Sequence, residues 1–139
     1  MSNRVLVIDD EPDFSGFVER ACQALDCRIR ACQNGEQARD ILASFRPDLI
    51  VLDMIMPRED GFEFLKWYTD QPERAPVLLV TGYDVYYAEM ASKLSALSGI
   101  HIVGILQKPV PLRKLREAIS GGLQTGLAGN DGGAATEAC

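Results

Sequence analysis

Leu49-Ile50-Val51-Leu52-Asp53-Met54-Ile55-Met56-Pro57 is a short apolar segment interrupted by one carboxylate and ended by a proline. Its first four residues are apolar without alternation, which suits a strand covered on both faces, as in a parallel sheet flanked by helices. The run closes on a carboxylate, so Asp53 is presented at the mouth of a buried strand. Three further apolar runs end in polar side chains able to do chemistry. Val5-Leu6-Val7-Ile8 leads into Asp9-Asp10-Glu11, Val77-Leu78-Leu79-Val80 into Thr81-Gly82, and His101-Ile102-Val103-Gly104-Ile105-Leu106 through Gln107 into Lys108-Pro109. In an open parallel sheet the strand C-terminal ends lie along one edge, where ligands collect. Three carboxylates, a hydroxyl and an ammonium are therefore expected to converge.

Between these runs the apolar spacing changes from strand-like to helical, giving an α/β pattern of five strand-then-helix repeats. Strands are expected at about 4–8, 27–32, 48–52, 76–80 and 101–106, with ends uncertain by about two to four residues. Pro12 opens the first helix, whose inward row is Phe14, Phe17, Val18, Ala21 and Leu25. Asn34 can cap the second, with Ala38, Ile41, Leu42 and Phe45 facing inward. Gly61 starts the third, and Pro72 and Pro76 keep it from running into the next strand. Tyr87, Met90, Ala91, Leu94 and Leu97 form the stripe of a fourth, and Leu112, Leu115 and Ile119 that of a fifth. After Ser120, six of the last twenty residues are glycine and the periodicity fades. This predicts a domain over 1–122 and a flexible Gly-rich tail over 123–139, or else the start of a linker in a longer protein.

At 139 residues and 47% hydrophobic content the chain suits one domain with a core of its own. A net charge of −6 argues against direct nucleic-acid binding, which rests on clustered Lys and Arg. No apolar run approaches the roughly 20 residues of a membrane span, and no signal-peptide pattern opens the chain, so a cytoplasmic location is expected. Cys22, Cys27, Cys32 and Cys139 form no CxxC pair and have no nearby His at zinc spacing, so they are read as reduced thiols. His101 stands at a strand start, and Trp67 is expected to cover core from a helix.

The acidic edge carries the functional reading. Asp9, Asp10 and Asp53 would crowd like charges together, and a divalent cation resolves the repulsion. Hard oxygen ligands favour Mg²⁺, which keeps several waters and shares phosphate oxygens. A solvated strand-end carboxylate needs no such explanation alone, but three at matched ends, beside Thr81 and Lys108, point to phosphoryl transfer. Asp53 is then the phosphoacceptor, forming an acyl phosphate. Asp10 holds the metal, with Asp9 directly or through water. Thr81 donates its hydroxyl to one phosphoryl oxygen, and Lys108 pairs with another.

Asp9-Asp10-Glu11-Pro12, Asp53 through Gly61, Thr81-Gly82 and Lys108-Pro109 together resemble the motifs of the receiver domain of bacterial two-component response regulators, over about residues 3–122. The resemblance implies a flavodoxin-like, doubly wound five-stranded parallel sheet of order 2-1-3-4-5 with five helices. It implies phosphorylation of Asp53 by a histidine kinase or histidine phosphotransfer protein with Mg²⁺ as cofactor, and a signalling role rather than an enzyme's. It adds the backbone carbonyl of Ile55 to the metal ligands. A downstream protein would dock on the fourth helix, fifth strand and fifth helix. Two features depart from the pattern. Ile105 stands three residues before Lys108, where the family usually has an aromatic switch residue, and the interval from Thr81 to Lys108 is long. With that switch missing, the Gly82-Tyr83-Asp84 loop and Tyr86 are expected to carry the signal to a partner.

A haloacid-dehalogenase-type phosphatase would need an Asp two positions after Asp53, where Ile55 stands. A flavodoxin-type FMN binder would carry a Ser/Thr/Gly-rich loop where Asp9-Asp10-Glu11 would repel phosphate. Two other possibilities keep the same fold: a receiver excised from a longer regulator, such as a cyclic-dinucleotide enzyme, or an interaction module that works without phosphorylation. A stand-alone regulator is the preferred expectation.

Overall fold

The computed structural model describes residues 3–55, 61–82, 94 and 96–128, with side chains placed up to residue 124 in the last segment. Five parallel strands, β1 (Asn3–Ile8), β2 (Cys27–Cys32), β3 (Leu49–Asp53), β4 (Val77–Thr81) and β5 (Ile102–Gln107), form one sheet of order β2-β1-β3-β4-β5. Every strand falls within about two residues of its expected place. Four helices are described: α1 (Pro12–Ala24), α2 (Gly35–Phe45), α3 (Gly61–Tyr68) and the C-terminal α4 (Leu112–Ala128). The expected helix through Tyr87, Met90 and Ala91 lies outside the described residues, as do Tyr83, Asp84, Tyr86 and Met56 through Asp60.

The unalternating strands are explained by two separate cores. Val5, Val7, Leu49, Val51, Leu78 and Val80 pack toward α1 and α4 against Val18, Ala21, Cys22, Leu115, Ile119 and Leu123. Leu6, Ile8, Ile50, Leu52, Val77 and Leu79 pack toward α2 and α3 against Ala38, Phe64, Leu65 and Tyr68. Successive residues point to opposite faces, so a strand between two helical layers needs an apolar side chain at each position. Burying each contributes about 1.5–3 kcal/mol. The edge strand β2 is covered less, and Arg28 and Arg30 charge its rim, which discourages pairing with another sheet.

Local signals set the helix ends. Asn34 Oδ1 accepts from Gln37 N at 2.8 Å while Gln37 Oε1 accepts from Gln33 N at 2.8 Å, a reciprocal cap that starts α2. Arg46, left-handed at φ 51°, closes α2 just before Pro47. The third helix stops at Tyr68, four residues before Pro72, in turns donated by Asp70 N and Gln71 N. Arg74 then binds the carbonyls of Gln71 (2.6 Å), Thr69 (3.4 Å) and Gly99 (2.6 Å), tying the end of α3 to the approach to β5. Trp67 lies on Phe64 with ring centroids 5.8 Å apart, covering the α3 side of the core as expected. The backbone carbonyl of His101 accepts from Val77 N at 2.9 Å.

Two features differ from the sequence pattern. The C-terminal helix runs through Gly121 and Gly122 to Ala128, past the expected boundary at 122. A Cβ at Gly122 would stand 2.8 Å from Leu49 Cδ1 and 3.3 Å from Val103 Cγ2, so this glycine lets α4 lie directly on the sheet, and Leu123 is buried behind it. Residues 129–139, the rest of the expected tail, lie outside the described residues. The second feature is a register shift in β5, where Val77 pairs with Ile102 but Leu78 with Gly104. The extra residue, Val103, accounts for part of the long interval before Lys108. Cys22, Cys27 and Cys32 are free thiols, and burial pushes Cys22 up to about 12 and Cys32 to about 11, as befits small core residues.

Candidate functional site

The C-terminal ends of β1, β3 and β4 and the exit of β5 meet at one edge. Asp53 is the last residue of β3, paired with Val80, and is 4% exposed. Met54 N donates to Val80 O at 2.9 Å, and Gly61 N to Met54 O at 3.0 Å. Gly61 is required there, because a Cβ would stand 2.6 Å from Met54 Sδ and 2.9 Å from Met54 Cα. Asp9 follows β1 and is 2% exposed, its backbone N–H donating to Cys32 O at 3.0 Å. Strand alternation continues from Val5 and Val7 to Asp9 and from Leu49 and Val51 to Asp53, so both carboxylates lean toward the α1 and α4 side.

Carboxylate oxygens of Asp9, Asp10 and Asp53 all lie within 4.8 Å of one another. Lys108 enters from the β5 exit, its Nζ 2.9 Å from Asp9 Oδ2 and 3.6 Å from Asp53 Oδ2. Its backbone N–H donates to Thr81 O at 2.8 Å, and its bond to Pro109 is cis. Thr81 is fully buried at the end of β4, its hydroxyl donating to Leu106 O at 3.4 Å, a long and weak bond. Beside it Gln107 Nε2 donates to Gly82 O at 3.4 Å. Ile55 N donates to Asp53 Oδ1 at 3.1 Å, while its side chain is 59% exposed. Ile105 is half-buried against the α2 and α3 core, opposite Leu79.

The electrostatics follow from burying like charges. Burial pushes Asp53 up to about 6; the Ile55 N–H and the Lys108 charge pull it down, while Asp9 and Asp10 push it further up. Burial likewise raises Asp9, despite the Glu11 N–H and Lys108. Burial alone would lower Lys108, but hydrogen bonds to Glu11 and Asp9 and the charge of Asp53 hold it above its ordinary value. One ammonium facing three carboxylates leaves the edge rich in anionic oxygen. Three hard oxygen donors on two strand ends fit a divalent cation that accepts few protein ligands.

Sequence reasoning did not assign two residues of this edge. Glu11 Oε1 lies 2.5 Å from Lys108 Nζ, and the Phe14 ring lies under the same ammonium at 4.5 Å to its centroid. Phe14 packs against the α1 and α4 core as its helical spacing predicts, and its place in the first turn of α1 also brings its ring to the sheet edge. Only the adjacency of Glu11 to the Asp pair hinted at its part.

Known proteins with related sequences are bacterial response regulators. Over 122 residues the chain is 30% identical to the response regulator protein PilR of Pseudomonas aeruginosa, covering 87% of this chain and 26% of that protein. It is 34% identical over 84 residues to the response regulator MprA of Mycolicibacterium vanbaalenii, covering 60% of this chain and 36% of the relative. The chain thus spans about a quarter to a third of the length of these relatives. Among solved structures, chemotaxis response regulator CheY4 of Vibrio cholerae superposes with a TM-score of 0.75 at 24% identity, over 88% of this chain and 99% of that one. NtrX of Brucella abortus superposes with 0.81 at 21% identity, over 94% of this chain and 29% of that one. At such identities the superpositions establish the shared fold. Residues 5–120 match the family described as response regulator receiver domain, a span that takes in β1 from Val5 onward, the other four strands and the acidic edge, and the chain belongs to that family.

Proposed function

We propose that this receiver domain accepts a phosphoryl group on Asp53 from a histidine kinase or histidine phosphotransfer protein and changes its protein partners as a result. The observation that carries the reading is the gathering of three carboxylates within 4.8 Å, with Lys108 3.6 Å from the one that ends β3. Asp53 Oδ would attack phosphorus in line, forming the O–P bond of an acyl phosphate as the P–N bond to the donor imidazole breaks and its electron pair returns to the ring. Oδ1 is already oriented by the Ile55 N–H, so the carboxylate does not rotate freely before attack. Thr81 and Lys108 would take two of the phosphoryl oxygens, the first by turning its hydroxyl from its long bond to Leu106 O, the second by charge.

Asp9, Asp10 and Asp53, with the Ile55 carbonyl, would hold Mg²⁺, which when bound offsets the negative charge gathering on the phosphoryl oxygens. Burial of Asp9 and Asp53 supports that assignment, since two buried anions facing a single ammonium are short of positive charge. Partner docking is assigned to β5, α4 and the segment between β4 and β5. The half-buried Ile105 offers no swinging aromatic ring, so the change would pass through the backbone after Thr81.

A small phosphodonor such as acetyl phosphate tests the reading without knowledge of the kinase. With Mg²⁺, intact-mass measurement should show one added phosphoryl group on the wild type, none after chelation, and none on Asp53→Asn. Retention of the added mass in Asp53→Asn would defeat the assignment.

A further inference from the structure

Glu11 precedes Pro12, which favours extended backbone at Glu11, and its φ −99° and ψ 110° are those of the residue that opens α1. Its backbone is pinned from both sides. The N–H donates to Asp9 Oδ1 at 2.8 Å, and the carbonyl accepts from Phe14 N at 3.1 Å and Ser15 N at 3.2 Å. A polar side chain at this position ordinarily turns inward to accept from the first helical turn. Glu11 makes no such bond. Its carboxylate reaches across the edge to Lys108 Nζ at 2.5 Å, 97 residues away in sequence.

Lys108 is therefore already occupied. An ammonium has three N–H donors; Asp9 Oδ2 at 2.9 Å and Glu11 Oε1 at 2.5 Å take two, and the Phe14 face closes a further side at 4.5 Å. Asp53 Oδ2, at 3.6 Å, lies beyond hydrogen-bond reach. The two carboxylates holding the ammonium are not equivalent: the Asp9 side chain is 1% exposed and that of Glu11 61%. Water can replace Lys108 at Glu11 and cannot at Asp9, so the Glu11 contact is the one that can be released at low cost.

Resting on the reading of Lys108 as a phosphoryl-binding group, we infer that Glu11 is a positioning residue that holds Lys108 back from Asp53. It competes with incoming phosphoryl oxygens for the ammonium. Glu11 forms no bond to the phosphoryl group; by occupying Lys108 it sets how readily the site accepts that group. Phe14 keeps the ammonium over the edge while the exchange of partners occurs.

A double-mutant cycle on the full chain tests this: wild type, Glu11→Gln, Lys108→Ala and the double variant. Two quantities are read in the presence of Mg²⁺, the affinity for beryllofluoride by calorimetry and the initial rate of phosphorylation by acetyl phosphate from intact mass. Glu11→Gln should raise both roughly two- to fivefold, the scale of a partly exposed ion pair. In the Lys108→Ala background the same substitution should change neither. Asp13→Asn removes an equal charge from the exposed first turn of α1 and should also change neither. If Lys108→Ala binds too weakly to measure, the contrast between Glu11→Gln and Asp13→Asn decides. A gain that persists without Lys108, or an equal gain in Asp13→Asn, would reduce the effect to general repulsion and overturn the inference. An unchanged or weakened Glu11→Gln overturns it too. A wild type that takes no phosphoryl group on Asp53 removes the parent reading along with it, and is told apart by the wild-type mass alone.

Discussion

At Asp53 a carboxyl group ends a strand with almost no water around it, and that placement makes the resting site costly. Folding raises its pKa from the ordinary 3.8 to about 6, chiefly by burial. A carboxyl raised in the folded state favours folding while it is protonated, and that contribution is lost as pH rises through about 6. With metal chelated, wild type should therefore be less stable at pH 7.5 than at pH 5, and Asp53→Asn should lose less over the same interval. The variant's advantage at pH 7.5 should be about 2–3 kcal/mol. Asp9 is raised in the same sense, so some slope should remain in Asp53→Asn. Urea midpoints at the two pH values measure this; equal pH dependence in the two proteins would mean that Asp53 carries no burial cost.

Among the elements, α4 tests how a glycine pair acts inside a helix. Gly121 has nothing within 4 Å of a built Cβ, whereas Gly122 would meet Leu49 at 2.8 Å. Alanine at Gly121 should stabilise the protein by about 0.5–1 kcal/mol through helix propensity alone. Alanine at Gly122 should destabilise it by about 1–3 kcal/mol, because Leu49 and the backbone of α4 must part to admit a methyl group. Thermal unfolding of the two variants gives shifts of opposite sign. A stabilised Gly122→Ala would mean that α4 does not lie on β3 as described. The same helix shows where composition misleads: glycine density suggested that order ends at 122, yet one of those glycines is what brings the helix against the sheet and buries Leu123.

For the whole molecule, the proposed Mg²⁺ site would couple metal binding to folding, since Asp9 and Asp53 of its three carboxylates are buried. A ligand that binds only the folded protein stabilises it by about 2.7 kcal/mol at a hundred times its dissociation constant. Saturating Mg²⁺ should raise the unfolding temperature of wild type, and Asp10→Asn, with one anionic ligand fewer, should need much more Mg²⁺ for the same rise. Without metal, Asp10→Asn should be no less stable than wild type, since a like charge has been removed from the cluster. Scanning calorimetry over a Mg²⁺ series checks both halves, and an unchanged Mg²⁺ response in Asp10→Asn would exclude it from direct metal contact.

The α/β class, the strand positions and the Asp, Thr and Lys of the edge were legible in the sequence, whereas the parts of Glu11 and Phe14 there were not. In β1, β3 and β4 the apolar residues run without alternation, which only a doubly covered sheet can bury, and β1, β3, β4 and β5 lead into the carboxylates, hydroxyl and ammonium of the edge. Helix starts were legible for the same local reason, in Pro12, Asn34 and Gly61. Tertiary structure alone decided what those side chains touch. Glu11 and Lys108 are 97 residues apart, and no periodicity relates them; they meet because β1 and the exit of β5 deliver them to the same rim. The bulge at Val103 and the close approach at Gly122 arose in the same way, since the fit of a helix or an edge strand to its neighbour is settled by atoms distant along the chain.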